Sequence, residues 1–282
     1  MIRLGLLFLF LTSVSLQVVA NQVEDTVYIN RGLFTTIQGS QFDYLAFNSS
    51  TLFSNENSRF VVSLNDTLVL TVINNDSIQH GFSVKNTSVN FNLAVGGMNT
   101  FSFSQSSATP FVYFDPLDEN TYLGLAGIIV FTDFSKNFFW NMKDHQASWN
   151  DSISAGGSVN WNDYYPNYFT INGKSNPDIN LDTNARVTGN VGDTMYIYMA
   201  NTGHSIHSIH FHGYHAEIIF SSENSMHVGR SKDTFPIQPM EISVVRLVPN
   251  QPGEYPVHDH NLVAVSGGNY YPNGMFLTML IN

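Results

Sequence analysis

The chain contains no cysteine. It therefore forms no disulfide, offers no thiolate as nucleophile or metal ligand, and cannot be anchored by a lipid on a terminal cysteine. Basic residues are also few: 11 Lys and Arg stand against 22 Asp and Glu, for a net charge of −11. Nucleic acid and anionic membrane surfaces reward clustered Lys and Arg, so both are excluded as partners. Charged residues of either sign make up only 12% of the chain, which reads as the surface of an exported protein. Long apolar runs are missing as well. Residues 4–11 form one short run, below the ~20 residues that a spanning helix needs. With Arg3 before it and Val18-Val19-Ala20 after it, the run predicts a signal peptide over 1–20, hence a secreted or periplasmic protein with no membrane span once the signal is removed.

What the sequence does contain is short alternating segments separated by Gly, Asn and Pro, with helical patterns scarce. Apolar residues make up 43% of the chain and aromatics 13%, enough for two cores. Two domains of about 110 residues each fall in the usual size range. An internal repeat supports the division. Asp66-Thr67 is followed by an apolar alternation, Asn74 and then His80; Asp193-Thr194 is followed by the same alternation, Asn201 and His207 at the same offset. Both halves also end alike, PFVYFDPL and Gly124-Leu125-Ala126 paralleling EYPVHDHN and Gly274-Met275-Phe276. The expected fold is all-β, two Greek-key β-sandwiches. Expected boundaries are 21–134 for the first domain, 135–168 for an aromatic-rich connection packed across the sandwiches, and 169–282 for the second. Five Asn-X-Ser/Thr sequons, at Asn48, Asn65, Asn75, Asn86 and Asn150, are weak signals in so Asn-rich a chain.

The chemistry is concentrated in histidine. His207, His210 and His212 in HSIHFHGYH are answered by His258 and His260 in YPVHDHNLV. Side chains alternate along a strand with a period of two, so each His-X-His pair puts two imidazoles on one face. Two facing pairs could offer up to four neutral nitrogen ligands to copper or zinc. Four unliganded imidazoles packed together would instead repel on protonation and lose solvation.

The order HSIHFHG, DTFPIQP, PGEYPVHDHNL and a late NGM resembles the last cupredoxin domain of multicopper oxidases and copper nitrite reductases, over roughly residues 169–282. The resemblance implies two cupredoxin-like sandwiches, copper, and oxidoreductase chemistry on a small-molecule substrate. It also brings His212 and His260 onto the two second-domain histidines that line the catalytic copper of the nitrite reductases. His80 and His207 fall where cupredoxins place their first copper histidine, but Asp115 and Asp259 stand at the cysteine position. A residue like the axial methionine is kept as Met275 and is Leu125 in the first half. The first half reads Phe114-Asp115-Pro116 where the oxidases carry a histidine pair. Neither a blue copper nor a trinuclear cluster can be assembled from one chain.

The expected metal set is therefore His210, His212, His258 and His260, with His207 as a further candidate ligand whose parity favours pairing with Asp259 instead. Copper is the expected metal and zinc the competitor. With no blue site, electrons for a nitrogen-ligated copper must come from an external donor. A homo-oligomer is allowed, since the nitrite reductases place this copper between the subunits of a trimer. The other reading is a non-enzymatic, degenerate cupredoxin scaffold for metal buffering or protein contact. His145, His204, His215 and His227 lack partners at useful spacing and read as surface or turn histidines.

Overall fold

The computed structural model describes residues 20–282, so the signal peptide expected over 1–20 lies, apart from Ala20, outside the described residues. The first sandwich contains β1 (Gln22–Thr35), β2 (Gln41–Asn48), β3 (Arg59–Val62), β4 (Thr67–Asn74), β5 (His80–Val84), β6 (Asn90–Leu93), β7 (Met98–Ser104), β8 (Thr109–Phe114) and β9 (Ala126–Phe131), with the single turn α1 (Asn120–Leu123) between the last two. The second contains β10 (Asn137–His145), β11 (Tyr168–Ile171), β12 (Thr188–Gly189), β13 (Met195–Asn201), β14 (His207–Phe211), β15 (Ala216–Ser221), β16 (Ser231–Lys232), β17 (Thr234–Ile237), β18 (Ile242–Leu247), β19 (Gly253–Asp259) and β20 (Phe276–Ile281), while helix α2 (Ala147–Ser154), between β10 and β11, packs on the first sandwich.

The repeat read from the sequence is a repeat of topology. Sheet β2-β1-β4-β7 corresponds strand for strand to β11-β10-β13-β18, and β3-β9-β8-β5-β6 to β12-β20-β19-β14-β17; the second sandwich adds β15 and β16 to one edge. In both, the first strand runs parallel to the strand that follows the Asp-Thr pair, with Ile29 opposite Asn74 and Met142 opposite Asn201. Alternation accounts for the half-covered strands. In β4 every second residue of TLVLTVIN is buried, Leu68, Leu70 and Val72 pointing into the core.

The sandwiches pack through one sheet of each. Ile129 and Phe131 of β9 point into the first core, whereas Ile128 and Val130 meet Phe139, Tyr198, Ala200, Ile242 and Val244 across the seam. Strand β9 is covered on both faces, which is why AGIIVF is apolar throughout. The same division holds on the other side, where Trp140, Met142, Ile197, Met199 and Val245 turn inward. Trp140 is wholly buried, and its indole N–H donates to the carbonyl of Ala185 at 2.7 Å.

The segment 135–168 packs against both sandwiches, with Trp149, Ile153, Trp161 and Tyr164 on the first core and Trp161 stacked on His204 of the second. Its first part is β10, whose Phe138, Trp140 and Met142 alternate into the second core. The repeated motif starts at Asp66 and Asp193, just before β4 and β13, and so does not reveal that β10 is the counterpart of β1. Of the sequon asparagines, Asn48 and Asn150 are buried and hydrogen bonded within the fold.

Candidate metal centre

Strands β14 and β19 carry the histidines. In β14 the burial alternates, with His207, Ile209 and Phe211 inside and Ser208 and His210 outside; in the latter part of β19, Val257 and Asp259 are inside and His258 outside. The strands pair antiparallel with His210 opposite His258 and Ile209 opposite Asp259. A slip of one residue would bury the histidines and expose Ile209 and Phe211, so the apolar alternation fixes this register. His212 and His260 continue the same parity just past the strand ends and are exposed.

The four imidazoles meet on the outer face of this sheet. Ring centroids lie 4.8 Å apart for His210 and His212, 5.7 Å for His210 and His258, 5.6 Å for His210 and His260, and 5.2 Å for His212 and His258. The Nε2 atoms of His212 and His258 are 3.0 Å apart. Two cis ligands with bonds of about 2.0–2.1 Å and an angle of roughly 95° are separated by that length. Among the described residues no group of three His, Asp or Glu side chains forms a complete ligand cage. The His212–His258 edge is at ligand spacing, with His210 beside both rings and His260 beside His210.

The far nitrogens are already engaged. His258 Nδ1 bonds to the carbonyl of Asp259 at 2.8 Å, and His210 Nδ1 to Thr234 Oγ1 at 2.9 Å. Thr234 Oγ1 in turn donates to Asp233 Oδ1 at 3.1 Å. A histidine metal ligand is usually oriented in this way, through the ring nitrogen that the metal does not use. Partial burial first, and then the neighbouring His210 and His258, pull the pKa of His212 below its ordinary value. That favours the neutral ring that a metal requires. Donor type, spacing and orientation therefore fit a nitrogen-ligated metal. Thr234 and Asp233 were not singled out from the sequence, although both lie at the DTFPIQP motif.

His207 does not join the four. It is 1% exposed, with Nδ1 2.6 Å from Asp259 Oδ2 and Nε2 3.4 Å from Asp144 Oδ1, the latter an ion-pair contact outside hydrogen-bond geometry. With its Nδ1 bound and its Nε2 facing a carboxylate inside the core, it cannot also serve a metal on the outer face. Burial opposes its protonation, but Asp144 and Asp259 outweigh that and push its pKa up to about 9. Asp144 is held well below the usual carboxylate range: burial alone would raise it, and His207, Ser205 and Tyr164 more than compensate.

The first sandwich solves the same problem with other residues. His80 Nδ1 bonds Asp115 Oδ2 at 2.7 Å and Nε2 bonds Asp76 Oδ2 at 2.8 Å, and Arg31 grips Asp76 with Nε and Nη2 at 2.8–3.1 Å. Arg31 and Asp144 are equivalent, each two residues beyond the strand position facing Asn74 or Asn201. Asp76 corresponds to Gly203, where a Cβ would lie 1.9 Å from Asp144 Oδ1. A carboxylate supplied by the loop in one sandwich is thus supplied by the first strand in the other. In both, the Asp bonded to Nδ1 of the histidine also accepts two backbone amides: Gly81 and Leu117 for Asp115, Ser208 and Asn261 for Asp259. Leu125 and Met275 lie wholly buried in their cores.

One expectation for the remaining histidines needs correction. His145 is completely buried, ringed by Phe34, Phe42, Tyr44 and Tyr122 at centroid distances of 5.2–6.3 Å, with no hydrogen-bond partner on either nitrogen. Burial and then Lys143 hold its pKa down to about 3. Spacing along the chain does not reveal this, because the rings that bury His145 come from the first sandwich. The histidine face belongs to the sheet opposite the one that packs on the first sandwich, so it turns away from that domain. His204 and His215 are exposed, His204 stacking on Trp161 at 4.3 Å, and His227 is half-buried.

Residues 155–282 match the family model described as multicopper oxidase. No protein of curated function matches the chain by sequence. Among solved structures it is similar to a blue copper oxidase from Nitrosomonas europaea, at 20% identity with a TM-score of 0.77, covering 93% of this chain and 86% of that one. A multicopper oxidase, mgLAC, gives 19% identity and a TM-score of 0.75, covering 93% and 87%. The copper nitrite reductase from Nitrosomonas europaea gives 15% and 0.71, covering 93% and 94%. At these identities the likeness shows the fold, a pair of cupredoxin-like sandwiches.

Proposed function

We propose that this chain, a two-domain cupredoxin whose second half carries the multicopper oxidase domain, is an exported protein that binds one non-blue copper on the outer face of its second sandwich. The observation that carries the reading is the 3.0 Å edge between Nε2 of His212 and Nε2 of His258, with His210 beside both rings, His260 beside His210, and hydrogen bonds at Nδ1 of His210 and His258. All the donors are imidazole nitrogens. They suit copper, and zinc is the competitor by donor type alone. His212 and His258 would hold the ion, with His210 and His260 completing the set. Bound there, copper would supply a site able to take up one electron and polarise a small oxygen- or nitrogen-containing substrate.

The protein's own residues set the terms of that chemistry. Both cysteine positions of a blue centre are carboxylates locked onto histidines, so the chain stores no second electron and an external donor must deliver each one. His212 and His260 are exposed, which leaves the site open to a donor, a small substrate or another subunit. A non-catalytic copper buffer is the same site without turnover, and the buried Asp–His–Asp clusters favour it over a multi-electron oxidase.

Metal analysis, electron paramagnetic resonance and thermal melts of the purified protein test the reading. One copper per chain, a nitrogen-ligated spectrum and a melting temperature that rises with copper are expected, since a ligand binding only the folded state stabilises it. His212→Ala with His258→Ala should abolish all three, and His227→Ala none. Equal copper binding by the double variant would refute the site.

A further inference from the structure

Resting on the copper reading above, we infer that His207 and Asp259 are positioning residues for the metal centre, a metal-free substitute for a copper ion in fixing the geometry of the four histidines. One carboxylate ties together every backbone segment that carries a ligand. Asp259 lies between His258 and His260 in the chain. Its Oδ1 accepts the amides of Ser208 on β14 and Asn261 in the turn after His260, at 3.2 and 2.9 Å. Its Oδ2 meets His207 at 2.6 Å, three residues before His210. The amide of His260 donates back to the carbonyl of Ser208 at 2.7 Å, closing the loop between the strands. Directly above, His210 faces His258, and the carbonyl of Asp259 orients the ring of His258.

Asp144 reaches the same imidazole from β10 and is itself held by Ser205 Oγ at 2.6 Å and the amide of His204 at 2.7 Å. The cluster is therefore anchored in both sheets of the sandwich. A register or twist change between β14 and β19 would have to break it, and the separation of His212 from His258 is set by that register. The first sandwich provides an internal control. It has a corresponding cluster around His80, as deeply buried and with the same amide contacts but with Asp76 and Arg31 in place of Asp144, and Phe114 and Pro116 occupy the places of His258 and His260. A purely structural role would make the two clusters interchangeable in effect.

The test compares His207→Gln and Asp259→Asn with His80→Gln and Asp115→Asn, using copper(II) alone as the probe. All measurements are made below each variant's melting temperature. Loss of a group that orients a metal ligand typically costs 10–100-fold in affinity. His207→Gln and Asp259→Asn are expected to raise the copper Kd by about that factor and to change the copper hyperfine splitting, while the first-sandwich pair lowers the melting temperature with affinity and spectrum unchanged. If the parent chain binds no copper, the functional reading itself has failed. If the parent binds copper and all four variants keep its Kd within about twofold and its spectrum, or all four shift alike, the positioning role is overturned.

Discussion

Replacing His207 by Gln and following stability against pH in the metal-free protein probes the buried cluster of the second sandwich. The imidazole is 1% exposed, and the two carboxylates overcome burial to carry its pKa to about 9 from an ordinary 6.5. Each pKa unit corresponds to about 1.36 kcal/mol, so the protonated ring contributes roughly 3 kcal/mol. The pKa is raised on folding. The contribution is therefore complete below about pH 6.5 and is lost as the pH climbs through about 9. Lys143 runs the other way. Burial draws its ammonium, which only the carbonyls of Thr121 and Thr202 receive at 3.3 Å, down to about 7 from 10.5. Its burden on the fold is full below about 7 and is relieved toward 10.5. The two slopes oppose each other, so the informative quantity is the difference between parent and His207→Gln. By calorimetry or circular dichroism melts, that gap should be larger at about pH 6 than at about pH 10 by roughly 3 kcal/mol, or roughly 6–12 °C in Tm. A gap that holds constant or widens over this range would refute the reasoning.

Four further outcomes are expected. His145→Phe should stabilise the protein by about 1–3 kcal/mol in chemical denaturation, because it removes two buried nitrogens without partners from an aromatic cage, whereas His145→Ala should destabilise it. Lys143→Met should raise stability below about pH 7 and lose that advantage toward pH 10, as read from denaturation midpoints at each pH. Thr234→Val leaves His210 without its orienting partner and should weaken copper binding by about 10–100-fold in calorimetric titration. The copper-loaded protein should lack the intense absorption near ~600 nm that a copper–thiolate bond gives, since no thiolate exists; a strong blue colour would overturn that reading.

Much of this could be read from the order of residues alone. The absence of cysteine excludes a blue centre without any coordinates. The period-two spacing of His210 with His212 and His258 with His260 placed each pair on one face, because a strand permits nothing else. The offset shared by His80 and His207 gave the duplicated sandwich. Parity pointed to Asp259 as the partner of His207, but spacing could not show which second carboxylate each of the two histidines meets. Asp76 is supplied from the loop just before its histidine, Asp144 from a strand more than sixty residues upstream, and the pairing of β10 with β13 brings it there. His145 was misread for the same reason: burial is a property of what packs against a residue, and its cage is assembled from β1, β2 and α1 of the other sandwich. The face of the second sandwich that meets the first was likewise hidden in the sequence. It follows from the outward apolar residues of β9, β13 and β18 finding one another, which directs the histidine sheet away from the seam. Local periodicity determines which side chains share a face. Long-range packing decides what that face is turned toward, because it depends on contacts between segments that the chain order does not place together.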